Sequence, residues 1–197
     1  MRSILSLVIL AVLTGFSATQ GAKGTSANPE AGAHLPSQSV ADAIKEAAGT
    51  DGAFVPARSV SATYDANNLA SMLQYPADDI VVVRLTGKEI RLAFERSISL
   101  FPQPNSSFLQ LAGFTVEFSA AGAPDSRVLN VTAGGAPLDE NRAYTIAMPG
   151  SLGRGGMGYF KIWNKSKIER TLPSATLESV LKGRRYAASS PRWVARP

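Results

Sequence analysis

The sequence has 197 residues, enough for one domain of ordinary size and short for two. It contains no cysteine and a single histidine, which excludes disulfides, thiol catalysis and thiolate metal sites, and leaves too few histidines for the usual hydrolytic metal centre. The formal net charge is +5, and loss of Arg2 with a cleaved leader would leave +5 − 1 = +4.

The first 21 residues have the pattern of a signal peptide. Arg2 supplies a positive start, residues 4–13 are small or apolar apart from Ser6, and small residues precede a cleavage site near Gly21. The apolar run is about half of the roughly 20 residues that a membrane-spanning helix needs. We therefore expect cleavage and export to the periplasm or the outside, with no membrane span afterwards. An uncleaved anchor is the alternative.

Residues 22–37 are predicted to form a flexible linker because they contain little hydrophobic surface. The only histidine, His34, lies in this segment. Beyond it, the spacing of Val40, Ala43 and Ile44 predicts a helix that is capped by Ser37 or Ser39.

The next elements are two strands and two helices. Gly49 ends the first helix, and a short strand at 53–55 stops at Pro56. Asp65 is predicted to cap a second helix over 65–73, and the β-branched run at 79–85 predicts a strand. A third helix follows Gly87, with a buried face made of Ile90, Ala93, Phe94, Ser97, Ile98 and Phe101.

The second half of the chain is richer in strands. Alternation at 114–118, a turn at 122–125 and a strand at 127–132 predict a hairpin. A strand at 144–148 leads into a glycine-rich loop, and a last helix begins near Ser174. Together these elements predict a single α+β domain over 38–186, layered from a mixed β-sheet and packed helices.

Residues 187–197 form a basic C-terminal tail that includes Arg192 and Arg196. Such a tail is typically solvated and partly disordered, although it could also contact an anionic surface. No series of aromatic residues accompanies the basic ones, so specific nucleic-acid binding is not predicted.

Six stretches of the chain follow one another in a recognisable order: ADAIKEAAGTDGAFVPAR at 41–58, DANNLASMLQY at 65–75, VVVRLTGKEIRLAFERSIS at 81–99, SSFLQLAGFTVEFS at 106–119, SRVLNVTAGGAPLDENRAYTIAMP at 126–149 and GRGGMGYF at 153–160. In this order they resemble the C-terminal domain of the 5′-nucleotidases, a family that includes bacterial UDP-sugar hydrolases and the animal surface ectonucleotidase. The resemblance covers roughly residues 39–163.

The resemblance implies a division of labour. In that family an N-terminal domain holds two divalent metal ions and attacks the phosphate ester, while the C-terminal domain stacks the nucleobase between two aromatic rings and holds the ribose. This sequence matches the C-terminal domain alone, so no cofactor is expected in this chain. The expected partners are a nucleoside or nucleotide and, for hydrolysis, a separate phosphatase chain.

The resemblance also assigns ligand-binding positions. Tyr75 falls at the first stacking aromatic, and Arg58 lies near an arginine of the family. Gly155 and Gly156 match the first two glycines of the family's Gly-Gly-Asp-Gly loop.

The same alignment shows departures from the family pattern. It places Met157 at the aspartate, Ser151 at the second aromatic and Pro56 at an asparagine. Serine cannot stack on a base, and the methionine sulfur is a weak acceptor. The site residues are therefore expected to form a weakened nucleotide pocket.

Three functions remain open: a recognition domain for nucleosides or nucleotides, a structural or interaction module that has lost the pocket, and hydrolysis by this chain alone. The third is least favoured because metal ligands are missing. A Gly153-x-Gly155-x-x-Gly158 pattern also resembles a dinucleotide fingerprint, but the strand-to-helix context is wrong. Asp78 and Asp79 are interpreted as a solvated turn.

Overall fold

The computed structural model describes residues 25–188 and 190–197; the predicted signal peptide at 1–21 lies outside them. In these residues the α-helices are α1 (Leu35–Ala48), α2 (Gly87–Ser97), α3 (Gly150–Gly153) and α4 (Leu177–Leu181). The strands are β1 (Gly52–Pro56), β2 (Asp79–Thr86), β3 (Leu109–Ala112), β4 (Phe114–Ser119), β5 (Val128–Ala133), β6 (Ala136–Pro137), β7 (Ala143–Pro149), β8 (Ile168–Thr176) and β9 (Trp193–Arg196). The α+β class predicted from the sequence is confirmed.

A five-stranded mixed sheet forms the centre of the molecule, in the order β3-β1-β7-β2-β8. Strands β1 and β7 are parallel, whereas the other neighbours are antiparallel. Side chains alternate across β2: Ile80 and Val82 pack in the core on one face, and Val81 and Val83 in the core on the other. The sheet is therefore covered on both faces, which explains why this strand is a continuous apolar run.

One face of this sheet is covered by α1 and α4. Val40, Ala43 and Ile44 of α1 are fully or almost fully buried there, as the helical spacing predicted. Gly49 ends α1 in the left-handed conformation, with φ of 61°. The predicted serine cap is wrong, because the helix begins at Leu35 and the capping position belongs to His34.

The other face packs against α2 and a second sheet, ordered β6-β5-β4-β9. Thr86 and Glu89 form a reciprocal capping box at the start of α2, which fixes the point where β2 becomes helix. The predicted hairpin is confirmed by the antiparallel pairing of β4 with β5. Aromatic side chains fill the space between the layers, and Phe94 makes edge-to-face contacts with Phe54 and Trp193.

Two local predictions in the middle of the chain are wrong. The helix predicted over 65–73 is only a short 3-10 turn at Leu69–Met72. Leu69 and Met72 are buried, but residues 65–68 are exposed, so no buried face supports a longer helix. Strand β8 was not predicted, because it is a mostly exposed edge strand that contains Pro173 and irregular pairing to β2.

The described part of the predicted linker, residues 25–37, is packed against the domain. The Gln110 side chain donates hydrogen bonds to the carbonyls of Pro29 and Gly32, each at 2.8 Å. His34 is buried, its backbone N–H donates to Gln110, and its Nδ1 lies 2.6 Å from the Ser37 hydroxyl. Burial lowers the pKa of His34 to about 4. The flexible-linker prediction is wrong here because the ordering contacts come from Gln110, which lies 76 residues beyond His34 in the chain.

The basic tail is also part of the fold. Strand β9 pairs in parallel with β4, and Trp193 is buried with its indole N–H donating to the Leu109 carbonyl at 2.7 Å. Arg192 makes a two-pronged ion pair with Asp42 of α1 at 2.7 Å. The prediction of a solvated tail is wrong, since an isolated tryptophan gives no periodic signal of burial.

Candidate functional site

A cavity of about 600 Å³ lies between the turn that precedes β2 and the loop that follows β7. Its volume is in the range of small-molecule sites. The lining side chains come from Arg58, Gln74, Tyr75, Pro76, Ala77, Asp78, Ser151 and Met157. Four of the six predicted ligand-binding residues thus meet at one cavity: Arg58, Tyr75, Ser151 and Met157. Their role in binding stays a prediction.

One wall of the cavity is the tyrosine turn, residues 74–78. It presents the ring of Tyr75, which is 45% exposed. Main-chain hydrogen bonds hold the turn from both sides: the Gln74 N–H donates to Ser59, and the Glu178 N–H at the start of α4 donates to Pro76. The ring is therefore displayed to solvent from a backbone that is fixed at both ends.

Asp78 ends the tyrosine turn and contacts the opposite wall. Its side chain is only 11% exposed, and the Ser151 hydroxyl donates to Oδ2 at 2.7 Å. Arg154 lies 3.0 Å from Asp79 and 3.9 Å from Asp78, so the guanidinium is closer to Asp79. Burial, together with the neighbouring Asp79, raises the pKa of Asp78, whereas the hydrogen bond from Arg154 lowers the pKa of Asp79.

The interpretation of Asp78 as a solvated turn residue is therefore wrong. Sequence reasoning also missed Gln74, Pro76 and Ala77 as lining residues. These three residues and Asp78 all lie within three positions of Tyr75, so closeness to the stacking aromatic was a signal that could have identified them. The burial of Asp78 had no local signal, since its partner Ser151 lies 73 residues away.

The opposite wall is the glycine loop, residues 150–158. Gly155 and Gly156 do not line the cavity; they give the loop its shape. Gly155 has φ of +91°, and a side chain at Gly156 would place its Cβ 2.6 Å from the Ser151 carbonyl oxygen. The two glycines thus bring the chain close to itself and position Ser151 and Met157 at the cavity.

Met157 adopts a left-handed conformation that is unusual for a residue with a side chain, with φ of 55°. Its carbonyl accepts hydrogen bonds from Arg96 Nη2 at 2.7 Å and from the Ser107 hydroxyl at 3.0 Å. These two hydrogen bonds stabilise the left-handed conformation of Met157, which sets the direction of the glycine loop at this residue. Arg96 and Ser107 therefore act on the cavity without lining it.

Buried aromatic residues support the loop from below. Tyr159 and Trp163 stack with ring centroids 4.7 Å apart, and the Trp163 indole N–H donates to the Leu152 carbonyl at 2.9 Å. Tyr159 is fully buried, and this burial raises the pKa of its phenol. The glycine loop is thus attached to the main core.

A second, more polar groove of about 410 Å³ adjoins the first cavity. Arg58, Gln74 and Tyr75 belong to both, and Asn28 and Glu30 of the N-terminal segment form the far side. The segment that was predicted to be a linker therefore borders the candidate site.

Within residues 25–188 and 190–197, no three His, Cys, Asp or Glu side chains come together in a way that could hold a metal ion. His34 is turned towards Ser37 and does not fit the two-metal centre that the resemblance implies for an N-terminal domain. Over the same ranges no helix is long and apolar enough to cross a membrane.

Comparison with known proteins agrees with this architecture. The family model "5′-nucleotidase, C-terminal domain" matches residues 13–164, well over half of the chain. A 5′-nucleotidase of Diplobatis ommata is 27% identical over 111 residues, which cover 52% of this chain and 19% of that protein. The human 5′-nucleotidase is 28% identical over 100 residues, which cover 47% of this chain and 17% of that protein. The chain thus spans about a fifth of the length of these relatives.

Solved structures share the fold. A 5′-nucleotidase precursor from Thermus thermophilus superposes with a TM-score of 0.66 and 21% identity, over 82% of this chain and 35% of that one. The NAD nucleotidase of Haemophilus influenzae gives 0.63 and 17%, over 88% and 36%. At these identities the likeness concerns the fold alone. The match of the family model is broader, and by it the chain belongs to the 5′-nucleotidase C-terminal domain family.

Proposed function

We propose that this domain recognises a nucleoside or nucleotide in the cavity between the tyrosine turn and the glycine loop. The observation that carries the proposal is the half-exposed ring of Tyr75 at a cavity of about 600 Å³ that Arg58, Ser151 and Met157 also line. A nucleobase that stacks on such a ring gains about 1–3 kcal/mol. Arg58 supplies a cation for a phosphate, and Met157 supplies a polarisable apolar wall on the opposite side.

Calorimetric titration with adenosine, AMP and UDP-glucose tests this proposal. Tyr75→Ala is expected to weaken binding by about tenfold or more, the equivalent of the stacking energy. Tyr186→Ala is the matched control, because Tyr186 is 38% exposed but lines a different cavity. Equal affinities of the wild type and Tyr75→Ala for every ligand would contradict the proposal.

The second candidate is an interaction module without a working pocket. It is favoured by the presence of Met157 and Ser151 at positions where the family resemblance calls for an aspartate and an aromatic. Neither side chain reproduces those contacts. Absence of heat with all three ligands up to millimolar concentration would favour this candidate over the first.

We further propose that the protein is exported and that phosphate-ester hydrolysis requires a metal-bearing phosphatase unit in addition to this domain. Support for export comes from the apolar run at 4–13 after Arg2. Support for the need of another unit comes from the position of His34, the only histidine of the sequence, which is buried beside Ser37. Incubation of the purified protein with AMP and excess Mn²⁺ tests the second point, and turnover that is lost on chelation would contradict it.

A further inference from the structure

Asp78 brings a carboxylate to the cavity, and two hydrogen bonds fix its backbone. Its backbone N–H donates to the Tyr75 carbonyl at 3.1 Å, which closes the tyrosine turn. The Leu177 N–H donates to the Asp78 carbonyl at 3.0 Å, so α4 also holds this residue. Asp78 thus lines the same cavity as Tyr75, from the other end of one fixed turn.

The hydrogen bonds inside the protein leave part of the carboxylate unused. An ionised aspartate offers about four lone-pair positions. The Ser151 hydroxyl occupies one at 2.7 Å, and the Ser151 N–H approaches both oxygens at 3.4 Å, which is a long contact. Arg154 Nη2 lies 3.9 Å from Oδ1, beyond hydrogen-bond distance, and the neighbouring Asp79 brings a second negative charge rather than a donor. Acceptor capacity thus remains on a side chain that is only 11% exposed and lines the cavity.

Resting on the proposed function, we propose that Asp78 is the specificity-determining acceptor of this site and selects ligands that present two adjacent hydrogen-bond donors. A carboxylate accepts such a pair with both oxygens, and charge-assisted hydrogen bonds are the stronger kind. A ligand that covers Asp78 without donors would leave a buried charge without its water, which is unfavourable.

Nucleosides offer this donor pair in two places. The guanine edge carries the ring N1–H beside the exocyclic amino group, and the ribose carries neighbouring 2′ and 3′ hydroxyls. Adenine lacks the pair, since its N1 is an acceptor that a carboxylate would repel. Either donor pair suits the two acceptor oxygens of Asp78, and nucleoside affinities distinguish the base edge from the sugar.

The experiment measures affinities of the wild-type protein for guanosine, adenosine and 2′,3′-dideoxyadenosine by calorimetry. A base-edge contact is expected to make guanosine bind about ten to a hundred times more tightly than adenosine. A sugar contact is instead expected to separate adenosine from its dideoxy analogue by a similar factor. Equal affinities for all three ligands would overturn the proposal.

Asp78→Asn replaces one acceptor oxygen by a donor and keeps the shape, so it is expected to abolish the preference that the wild type shows. Asp78→Glu keeps the charge but displaces both oxygens, and the same loss is expected. Asp125→Asn is the matched control: Asp125 is exposed in the turn before β5 and does not line the cavity, and asparagine tolerates its left-handed φ of 62°, so the variant should keep the preference within about twofold. Thermal melting of each variant establishes that it is folded.

The proposal is overturned if Asp78→Asn retains the wild-type preference. If Tyr75→Ala still weakens binding by about tenfold or more in that case, recognition at the cavity stands and only the role of Asp78 fails. If none of the three nucleosides binds, both the recognition function and the role of Asp78 fail.

Discussion

The tyrosine turn and the glycine loop face the same cavity, but different contacts hold them. In the turn, main-chain hydrogen bonds fix the backbone, and Tyr75 itself is 45% exposed. In the loop, side chains fix the backbone: the buried Trp163 donates to the Leu152 carbonyl, and the half-buried Arg96 donates to the Met157 carbonyl. The two regions should therefore differ in their sensitivity to mutation. Exposed side chains of the turn can change with little effect on folding, whereas the loop keeps its shape only while the core beneath it is intact.

Trp163→Ala is the substitution expected to have the largest effect. It removes a buried ring that stacks on Tyr159 and deletes the hydrogen bond to Leu152. We expect a loss of about 3–5 kcal/mol in the free energy of unfolding, as for other large-to-small changes in cores. Chemical denaturation measures this, with Phe160→Ala as control because Phe160 lies in the 3-10 turn that precedes Trp163 and is 61% exposed. Equal losses in the two variants would contradict the core support of the loop.

Arg96→Leu tests whether the loop transmits a remote change to the cavity. The variant removes the 2.7 Å hydrogen bond to the Met157 carbonyl and the contact of the guanidinium with the Tyr159 ring. We expect a loss of about 2 kcal/mol in stability and a several-fold weaker ligand affinity, although Arg96 does not line the cavity. Lys88→Leu removes a charge from an exposed position of the same helix and should leave both quantities nearly unchanged. Unchanged affinity in Arg96→Leu would show that Met157 does not need this support.

Tyr75→Ala provides the opposite case within the turn. Half of the ring is in solvent and the backbone of residues 74–78 is held by main-chain bonds, so the free energy of unfolding should change by no more than about 0.5 kcal/mol. Ligand affinity should nevertheless fall, as argued above. Denaturation and titration of one preparation measure both quantities. A destabilisation comparable to that of Trp163→Ala would mean that Tyr75 belongs to the core rather than to the site.

Much of the fold could be predicted from local pattern. The apolar run of β2, the helical spacing of α2 and the alternation of β4 are local sequence patterns that predict which residues are buried. The structure confirms all three elements. The packing of residues 25–37 and 190–197 could not be predicted in this way. Their order depends on single distant contacts, such as Gln110 with Pro29 and Arg192 with Asp42, which leave no period in the sequence.

The candidate site shows the same difference between residues that the sequence identifies and residues that only the fold brings in. Family resemblance identified Tyr75 and Met157, and the structure places both at the cavity. It did not identify Asp78, because a carboxylate beside a second carboxylate has the composition of a solvated turn. Only the approach of the glycine loop buries Asp78 and gives it Ser151 as a donor.

Ser151→Ala examines the contact between the two walls of the cavity. Ser151 is exposed, so loss of its 2.7 Å hydrogen bond should cost no more than about 1 kcal/mol. That bond stabilises the ionised form of Asp78, and Asp79 and Arg154 are the other charged groups near it. Its removal should therefore raise the pKa of Asp78 further, and the carboxylate should become protonated at a higher pH as the solution is acidified. NMR titration of the carboxyl carbon measures the shift, and ligand affinity should decline at the same higher pH because a protonated carboxyl loses an acceptor. Ser151→Thr retains the hydroxyl and should leave the pKa in place; equal pKa values in Ser151→Ala and the wild type would show that the two walls are not coupled through this bond.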